Sequence, residues 1–443
     1  MSDTTVYISE LAGHEGEQVT VRGWLSHKRS SGKIRFLVLR DGTGRLQCVA
    51  FKGDLSEGIF ELCDRIPFES SLRVTGSVRK DDRAPGGYEM NLQSVEIIHE
   101  AGPEYPIQPK EHGVDFLFDH RHLYLRSRLP QAVLRVRHEV LQACRDFFYE
   151  RDFVLVDTPI LSPAACEGTT TLFETDYFGD SAYLAQSGQL YLEPACMAFG
   201  RVYCLGPTFR AEKSKTRRHL TEFWMIEPEV AFLELSGLLE LAQQFVCYLL
   251  ARVLDRCREP LDFLERDVGR LEAVRLPFPK MTYDEAADIL LRPESQEKMR
   301  QAGAPRFERG ADLGGFDETL LTADLDRPVM ITHWPAEIKS FYMQPAEDDP
   351  SKVLGLDMLA PEGYGEIIGG SQRIHDHDLM LSRIEQHGLP LEAFRWYLEI
   401  RKFGSVPHSG FGMGIERFVT WVCGIPHLRE AIPYPRQIHR IYP

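Results

Sequence analysis

The sequence predicts an α+β protein with two parts, a small N-terminal β-barrel and a larger domain of antiparallel sheet flanked by helices. Three observations support this. Short β-rich runs fill the first part, a proline-containing stretch follows at residues 102–109, and helical and β-rich segments then mix without regular βαβ alternation. The 443 residues are enough for two or three domains. We place the barrel at residues 1–103, a linker at 104–130 and the larger domain at 131–443.

Five β-rich runs define the first part. They lie at residues 19–24, 34–40, 46–50, 71–78 and 88–98, with turn-forming segments at 41–44 and 84–87. Five strands in so short a stretch favour a closed barrel of the OB type, although this pattern alone leaves a sandwich open. Trp24, beside a glycine in the first run, is predicted to belong to the barrel core.

The second part begins with a helix. Residues 131–151 have apolar side chains at helical spacing. A charged segment with few aromatic residues, at about 265–312, predicts either an insertion or a weakly structured loop.

Composition excludes several classes of protein. The 43% hydrophobic and 26% charged content is ordinary for a globular chain. No apolar run approaches the roughly 20 residues of a membrane span, and the N-terminus lacks a secretory signal, so we expect a cytoplasmic protein with no membrane partner. Nine scattered cysteines without a CxxC pair indicate reduced thiols. The net charge of −15 argues against a nucleic-acid partner, but basic stretches at 27–33, 121–137 and 213–219 provide local positive charge.

The most informative motif is a predicted hairpin. Residues 208–212 (Thr-Phe-Arg-Ala-Glu) and 222–227 (Glu-Phe-Trp-Met-Ile-Glu) flank a cationic loop. Strand alternation would place Arg210 and Glu212 on one face. A fixed guanidinium there binds phosphate and carboxylate bidentately, although an exposed amphipathic hairpin has the same pattern.

Two further motifs suit a nucleotide site when taken with the hairpin. Residues 407–417 alternate glycines and end in Glu416 and Arg417, but do not match a Walker loop or a dinucleotide fingerprint. Asp357 and Glu366 lie on either side of a glycine-containing turn and could share Mg²⁺, although acids beside such turns are usually only turn formers.

Together these motifs resemble the signatures of class II aminoacyl-tRNA synthetases, and residues 153–160 resemble the first motif, which usually forms a homodimer interface. The signatures of the unrelated class I enzymes are absent. A barrel before this catalytic unit resembles the aspartate, asparagine and lysine subgroup. The resemblance implies an OB-fold anticodon-binding domain, a class II catalytic domain, and ATP, Mg²⁺ and tRNA as ligands.

The resemblance also implies roles for individual residues. Arg210 would hold the α-phosphate and the amino-acid carboxylate, Arg417 would stack on adenine and reach the γ-phosphate, and Asp357 and Glu366 would bind Mg²⁺. Arg210, Arg417 and Glu366 are thereby the implied catalytic residues, acting by positioning and charge neutralisation. The other implied ATP contacts are Glu212, Arg218, His219 and Phe223.

Residues 186–192 (Gln-Ser-Gly-Gln-Leu-Tyr-Leu) indicate which amino acid is used. Aspartate enzymes resemble this run but carry Gln-Ser-Pro-Gln and a lysine where Leu192 stands. Burying a substrate carboxylate without that cation costs several kcal/mol. A neutral amide needs one acceptor and one donor, roles that the asparagine branch implies for Glu227 and Arg373. Glu167, Ser187 and Gln189 would line the pocket and hold the α-amino group. The alternative is an aspartate enzyme in which Leu192 has replaced the lysine without a change of substrate.

The predicted reaction is the ATP-dependent attachment of asparagine to tRNA(Asn) through an asparaginyl adenylate. In the barrel, the resemblance implies that Phe36 stacks on an anticodon base and that Arg29 and Gln47 contact neighbouring bases, although Phe36 could also be barrel core. Two other functions stay open: an asparagine synthetase on the same scaffold, which typically lacks the barrel, and a catalytically dead relative that only binds RNA.

Overall fold

The computed structural model describes residues 4–163, 166, 172–214 and 216–443. The chain divides into two compact units, Met1–Leu117 and Phe118–Pro443. The finer boundaries at residues 103 and 130 stay predictions.

The first unit contains the predicted barrel. Its strands are β1 (Gln18–Ser31), β2 (Ile34–Arg40), β3 (Arg45–Phe51), β4 (Ser71–Lys80) and β5 (Tyr88–His99), with helix α1 (Glu57–Arg65) between β3 and β4. They hydrogen-bond in a closed ring in the order β1-β2-β3-β5-β4, in which only the β3–β5 pair is parallel.

Alternation along β1 fills the barrel with one face of the strand. Val19, Val21 and Leu25 point into the core, so Trp24 points outward. Its side chain is 39% exposed and lies beneath the guanidinium of Arg40. The prediction that Trp24 is a core residue is therefore wrong.

The remaining elements follow in chain order. They are α2 (Val114–Asp119), α3 (Arg121–Tyr124), α4 (Arg128–Tyr149), β6 (Val154–Leu155), β7 (Leu161–Ser162), β8 (Glu174–Tyr177), β9 (Asp180–Leu184), α5 (Gln189–Phe199), β10 (Arg201–Phe209), β11 (Glu222–Ala231), α6 (Leu235–Arg256), α7 (Arg258–Phe263), α8 (Val268–Glu272), β12 (Lys280–Thr282), α9 (Tyr283–Leu290), α10 (Pro293–Gln301), α11 (Gly315–Thr322), β13 (Val329–Pro335), β14 (Lys352–Ala360), β15 (Gly365–Arg373), α12 (His377–Gln386), α13 (Leu391–Glu399), β16 (His408–Gly414) and α14 (Ile415–Cys423).

An eight-stranded sheet organises this second unit, in the order β12-β13-β14-β15-β16-β11-β10-β6. The inner pairs are antiparallel and only the two edge pairs, β12–β13 and β10–β6, are parallel. Buried side chains of α4, α6 and α14 share one core with the central strands. The predicted antiparallel sheet flanked by helices is confirmed.

The charged segment at 265–312 is not a weakly structured loop, and that alternative is wrong. It contains α8, β12, α9 and α10. Tyr283, Leu290 and Met299 are fully buried in a second core cluster, so a few well-spaced apolar residues anchor helices whose outer faces are charged.

Helix α6 differs from the expectation that no apolar run is long enough to cross a membrane. By length and composition it passes that test, and half of the qualifying window (50%) is buried inside the protein. Leu238, Ala242 and Phe245 on its inner face have no exposed surface and pack into the main core.

Candidate active site

The predicted hairpin is formed by β10 and β11. Their antiparallel register pairs Phe209 with Glu222 and Thr208 with Phe223. Strand β10 ends at Phe209, so the expectation that strand alternation orients Arg210 and Glu212 is wrong: both residues lie in the loop beyond the strand. Their side chains nevertheless line the same cleft.

This cleft collects every side chain predicted to contact ATP. Counting its open mouth, the space measures about 680 Å³. Strands β11, β15 and β16 and the first turn of α14 supply its walls together with the hairpin loop. The predicted residues that line it are Arg210, Glu212, Arg218, His219, Phe223, Glu366 and Arg417.

Cations and carboxylates in the cleft are paired with one another. Arg417 Nη1 lies 3.0 Å from Glu366 Oε2, and His219 Nε2 lies 3.4 Å from Glu212 Oε2. Burial and the positive charge of Arg417 lower the pKa of His219, which favours its neutral form near pH 7. Arg417 and His219 therefore each lie beside a carboxylate, with which an incoming anion would have to compete.

Arg218 has a partner that the sequence did not indicate. Its Nη1 lies 2.5 Å from Glu318 Oε2, and its Nη2 donates to the carbonyl of Gly363. Burial, reinforced by the charge of Glu366, raises the pKa of Glu318 to about 7. Glu318 belongs to α11, about 100 residues from Arg218, and no local motif marks it.

The carboxylates of Asp357 and Glu366 lie on either side of the space next to Gly369. A methyl group on Gly369 would lie 2.8 Å from Glu366 Oε1 and 3.9 Å from Asp357 Oδ1, so the absent side chain leaves room between the two carboxylates. Burial raises the pKa of Asp357 to about 6 even though Lys339 Nζ lies 2.7 Å away. Burial would also raise the pKa of Glu366, but Arg417 and Lys339 hold it below its ordinary value.

Within residues 4–163, 166, 172–214 and 216–443, no group of three or more His, Cys, Asp or Glu side chains could hold a metal. Two carboxylates with open space between them still fit Mg²⁺, a cation that takes one or two carboxylates together with substrate phosphates.

Glu227 forms a buried acceptor beside the cleft. Ser187 Oγ donates to its Oε1 at 2.5 Å, the backbone N–H of Gly188 donates to its Oε2 at 2.9 Å, and Cys204 Sγ lies 3.4 Å from Oε2. The side chain is 5% exposed. Burial raises its pKa, while these donors and the charge of Arg210 oppose that rise.

Three other residues were predicted to contact asparagine: Arg373, Leu192 and Glu167. Arg373 pairs bidentately with Glu229, at 3.0 Å for both contacts. Leu192 has no exposed surface and packs with Cys196, Val202 and Cys204. Glu167 lies outside the described residues.

Gln189 is held by a buried carboxylate that sequence reasoning missed. Its Nε2 donates to Glu193 Oε1 at 3.1 Å. Tyr397, Arg401 and His408 also converge on Glu193. Because Glu193 accepts from the Gln189 amide nitrogen, the amide oxygen of Gln189 is left to face other donors. Tyr397, Arg401 and His408 are more than 200 residues from Glu193 in the sequence, so no spacing pattern could reveal these three contacts.

In the first unit, the three predicted base-contacting residues lie together. Arg29 and Phe36 are paired across β1 and β2, and the Arg29 guanidinium lies 4.1 Å from the Phe36 ring centre. Gln47 Oε1 accepts from Arg29 at 3.4 Å. Phe36 is half-buried, whereas its neighbour Leu37 points into the barrel core. The alternative in which Phe36 is barrel core is therefore not supported.

Both units of the chain match known protein families. Residues 113–438 match the family of tRNA synthetases class II (D, K and N), and residues 19–98 match the OB-fold nucleic acid binding domain. The asparagine–tRNA ligase of Sorangium cellulosum is 54% identical over 98% of both chains, and that of Chloroflexus aurantiacus is 54% identical over 99% of both. The chain belongs to the asparagine–tRNA ligase family.

Solved structures of an asparaginyl and of a putative aspartyl enzyme have the same fold as this chain. Asparaginyl-tRNA synthetase from Pyrococcus horikoshii, complexed with asparaginyl-adenylate, has a TM-score of 0.92 at 41% identity and covers 100% of both chains. A putative aspartyl-tRNA synthetase from Leishmania major reaches 0.83 at 25% identity, over 100% of this chain and 96% of the other. Since both fold alike, the fold does not choose between the two amino acids, and individual side chains must do so.

Proposed function

We propose that this protein activates asparagine with ATP and transfers it to tRNA(Asn). The observation that carries the proposal is the buried Glu227 carboxylate beside the ATP cleft. An ionised carboxylate only accepts hydrogen bonds, so it suits the NH₂ group of an asparagine side chain and repels the carboxylate of aspartate. The fully buried Leu192 supplies no cation to offset that repulsion.

In the first step, an oxygen of the asparagine α-carboxylate attacks the α-phosphorus of ATP in line, and pyrophosphate leaves. Arg210 would hold both reacting groups, and Phe223 and Arg417 would enclose the adenine. Glu212, Arg218 and His219 line the same cleft and would contact the ribose end and the outer phosphates. No protein nucleophile is needed, because orientation and charge neutralisation lower the barrier.

Asp357 and Glu366 would hold Mg²⁺, which would supply positive charge to the leaving phosphates. The space above Gly369 supports this assignment. In the second step, the terminal ribose hydroxyl of tRNA attacks the carbonyl carbon of the adenylate, and AMP leaves.

The barrel would read the anticodon. An aromatic ring on the outer face, with a guanidinium stacked on it and an amide beside it, suits unpaired bases because every base has a stacking face. Arg29, Phe36 and Gln47 provide these three groups.

We also propose a homodimer through the β6 edge of the sheet. Val154 and Leu155 form β6, and Ile160 and Leu161 follow shortly after it in the chain. All four side chains are at least 40% exposed, and exposed apolar surface supports an interface. A cytoplasmic location remains part of the proposal; the cysteines of the described residues form no disulfide bonds, as reducing compartments favour.

The proposal is tested by charging. Purified protein, ATP, Mg²⁺ and radiolabelled asparagine should yield acid-precipitable asparaginyl-tRNA with tRNA(Asn) and none with tRNA(Asp). Free asparagine formed from aspartate and ammonia would instead indicate an asparagine synthetase, and RNA binding without any adenylate would indicate a catalytically dead relative.

A further inference from the structure

The carboxylate of Glu227 is fixed by the turn that precedes α5. Ser187 Oγ donates to Oε1, and the same hydroxyl accepts the backbone N–H of Gln189 at 3.0 Å. The backbone N–H of Gly188 donates to Oε2 at 2.9 Å. Two adjacent residues therefore hold the two oxygens of one buried carboxylate in a fixed plane.

We propose that Gly188 is a specificity-determining residue, whose backbone N–H keeps Glu227 oriented as an acceptor for the side-chain amide of asparagine. This inference rests on the proposed function and extends it, because Gly188 itself carries no side chain that could touch the substrate.

Space explains why residue 188 is glycine. Its φ of −82° and ψ of −8° are open to most residues, so backbone freedom is not the reason. A Cβ there would lie 2.6 Å from Cys204 Sγ and 2.8 Å from Thr158 Oγ1. Any larger residue would displace the Cys204 thiol, itself 3.4 Å from Glu227, and so disturb the same carboxylate.

The N–H group has an electrostatic consequence for the choice of substrate. A hydrogen bond to the charged form of a carboxyl group favours that form, and burial works in the opposite direction at Glu227. The ionised group accepts from an amide NH₂ and repels a carboxylate. A protonated Glu227 would carry an O–H donor and could pair with the carboxylate of aspartate. Removing the Gly188 donor therefore weakens asparagine binding and relaxes the exclusion of aspartate.

A comparison of proline and alanine at position 188 separates the effect of losing the N–H from the effect of the added side-chain volume. Both add a Cβ, but only proline removes the N–H, and its preferred φ of about −65 ± 15° borders the observed value. We would introduce each into a Thr158→Ala/Cys204→Ala background, which removes the side-chain atoms that a Cβ at position 188 would meet, and compare the Gly188→Pro and Gly188→Ala variants of that background. The readout is kcat/KM for asparagine and for aspartate in ATP–pyrophosphate exchange, together with KM for ATP.

We expect the asparagine-to-aspartate ratio of the proline variant to be at least about tenfold below that of the alanine variant, a difference of about 1.4 kcal/mol. KM for asparagine should rise while KM for ATP stays equal in the two variants. Equal ratios would overturn the inference. Wild-type protein that fails to use asparagine would instead overturn the proposed function, so the two failures are distinguishable.

If the proline variant does not fold, the isosteric Glu227→Gln variant decides the matter by two measurements. Hydrogen–deuterium exchange at the Gly188 amide should accelerate, because its charged acceptor is gone, and the asparagine-to-aspartate ratio should fall at least about tenfold. Unchanged amide exchange or an unchanged ratio would each contradict the role of this hydrogen bond.

Discussion

Lys339 Nζ lies 2.7 Å from Asp357 Oδ2, which places a partly buried ammonium group against one of the two carboxylates, Asp357 and Glu366, proposed to bind Mg²⁺. The contact joins the segment after β13 to the middle of β14. An opposite charge favours the ionised form of a carboxyl group, so Lys339 restrains the pKa of Asp357, which burial has already raised to about 6.

Lys339→Met should therefore raise the pKa of Asp357 further. A shift of one unit or more, the usual influence of an opposite charge, lowers the ionised fraction at pH 6 about fivefold or more. The Mg²⁺ concentration for half-maximal ATP–pyrophosphate exchange should rise accordingly at pH 6 and approach the wild-type value at pH 8.5. Lys352→Met, which removes a lysine paired with Asp284 in the same unit, is the control. Identical Mg²⁺ titrations for wild type and Lys339→Met would contradict this role.

Arg210→Ala should lower the exchange rate about 10²–10³-fold, the usual effect of removing one preorganised donor at developing charge. The exposed Arg395, which contacts only Glu392 on its own helix among the described ion pairs, provides a matched control. Exchange by Arg210→Ala within about threefold of the control would be incompatible with the assigned role.

Phe36→Ala should spare exchange and impair charging. Loss of one base stack is worth about 1–3 kcal/mol, so kcat/KM for tRNA should fall about fivefold to 150-fold. Trp24→Ala removes another exposed aromatic from the same barrel and should charge tRNA normally. Equal charging by the two variants would remove Phe36 from the proposed anticodon surface.

Discrimination between asparagine and aspartate should depend on pH. Burial raises the pKa of Glu227 above its ordinary 4.5, so lowering the pH toward that pKa protonates the group while aspartate in solution remains ionised. Protonated Glu227 no longer repels a carboxylate, so the asparagine-to-aspartate ratio of kcat/KM should fall as the pH is lowered from 8, and the fall should begin at a higher pH than an ordinary glutamate would give. Glu227→Gln should show a ratio that does not change over that range; a ratio equally pH-dependent in both proteins would point to a different group.

Local patterns revealed the scaffold. The five barrel strands and the β16–α14 unit follow from alternation, turn residues and glycine placement, which act over a few neighbouring residues. The same alternation, applied consistently from Val19 and Val21, would have placed Trp24 outside. The error came from weighing the residue type and its glycine neighbour over the period of the strand.

Long-range pairing could not be predicted. Arg373 and Glu229 are 144 residues apart, and Arg218 and Glu318 are 100 apart, so their contacts depend on sheet register and on packing of α11. The helices within residues 265–312 were not predicted, because their few buried apolar residues, such as Met299, are separated in the sequence by charged surface residues. The roles of individual site residues came from resemblance to a family, whereas the donors that orient Glu227 became visible only in the fold.

The choice of asparagine as the substrate is tested most directly by ATP–pyrophosphate exchange with asparagine and with aspartate, each supplied alone at pH 8 with saturating Mg²⁺. We expect rapid exchange with asparagine and at least about a hundredfold lower kcat/KM with aspartate, equivalent to about 2.8 kcal/mol of discrimination. Exchange with aspartate but not with asparagine would contradict the roles proposed for Glu227 and Leu192 in selecting asparagine. Exchange with neither amino acid would contradict the proposal that the protein is a catalyst.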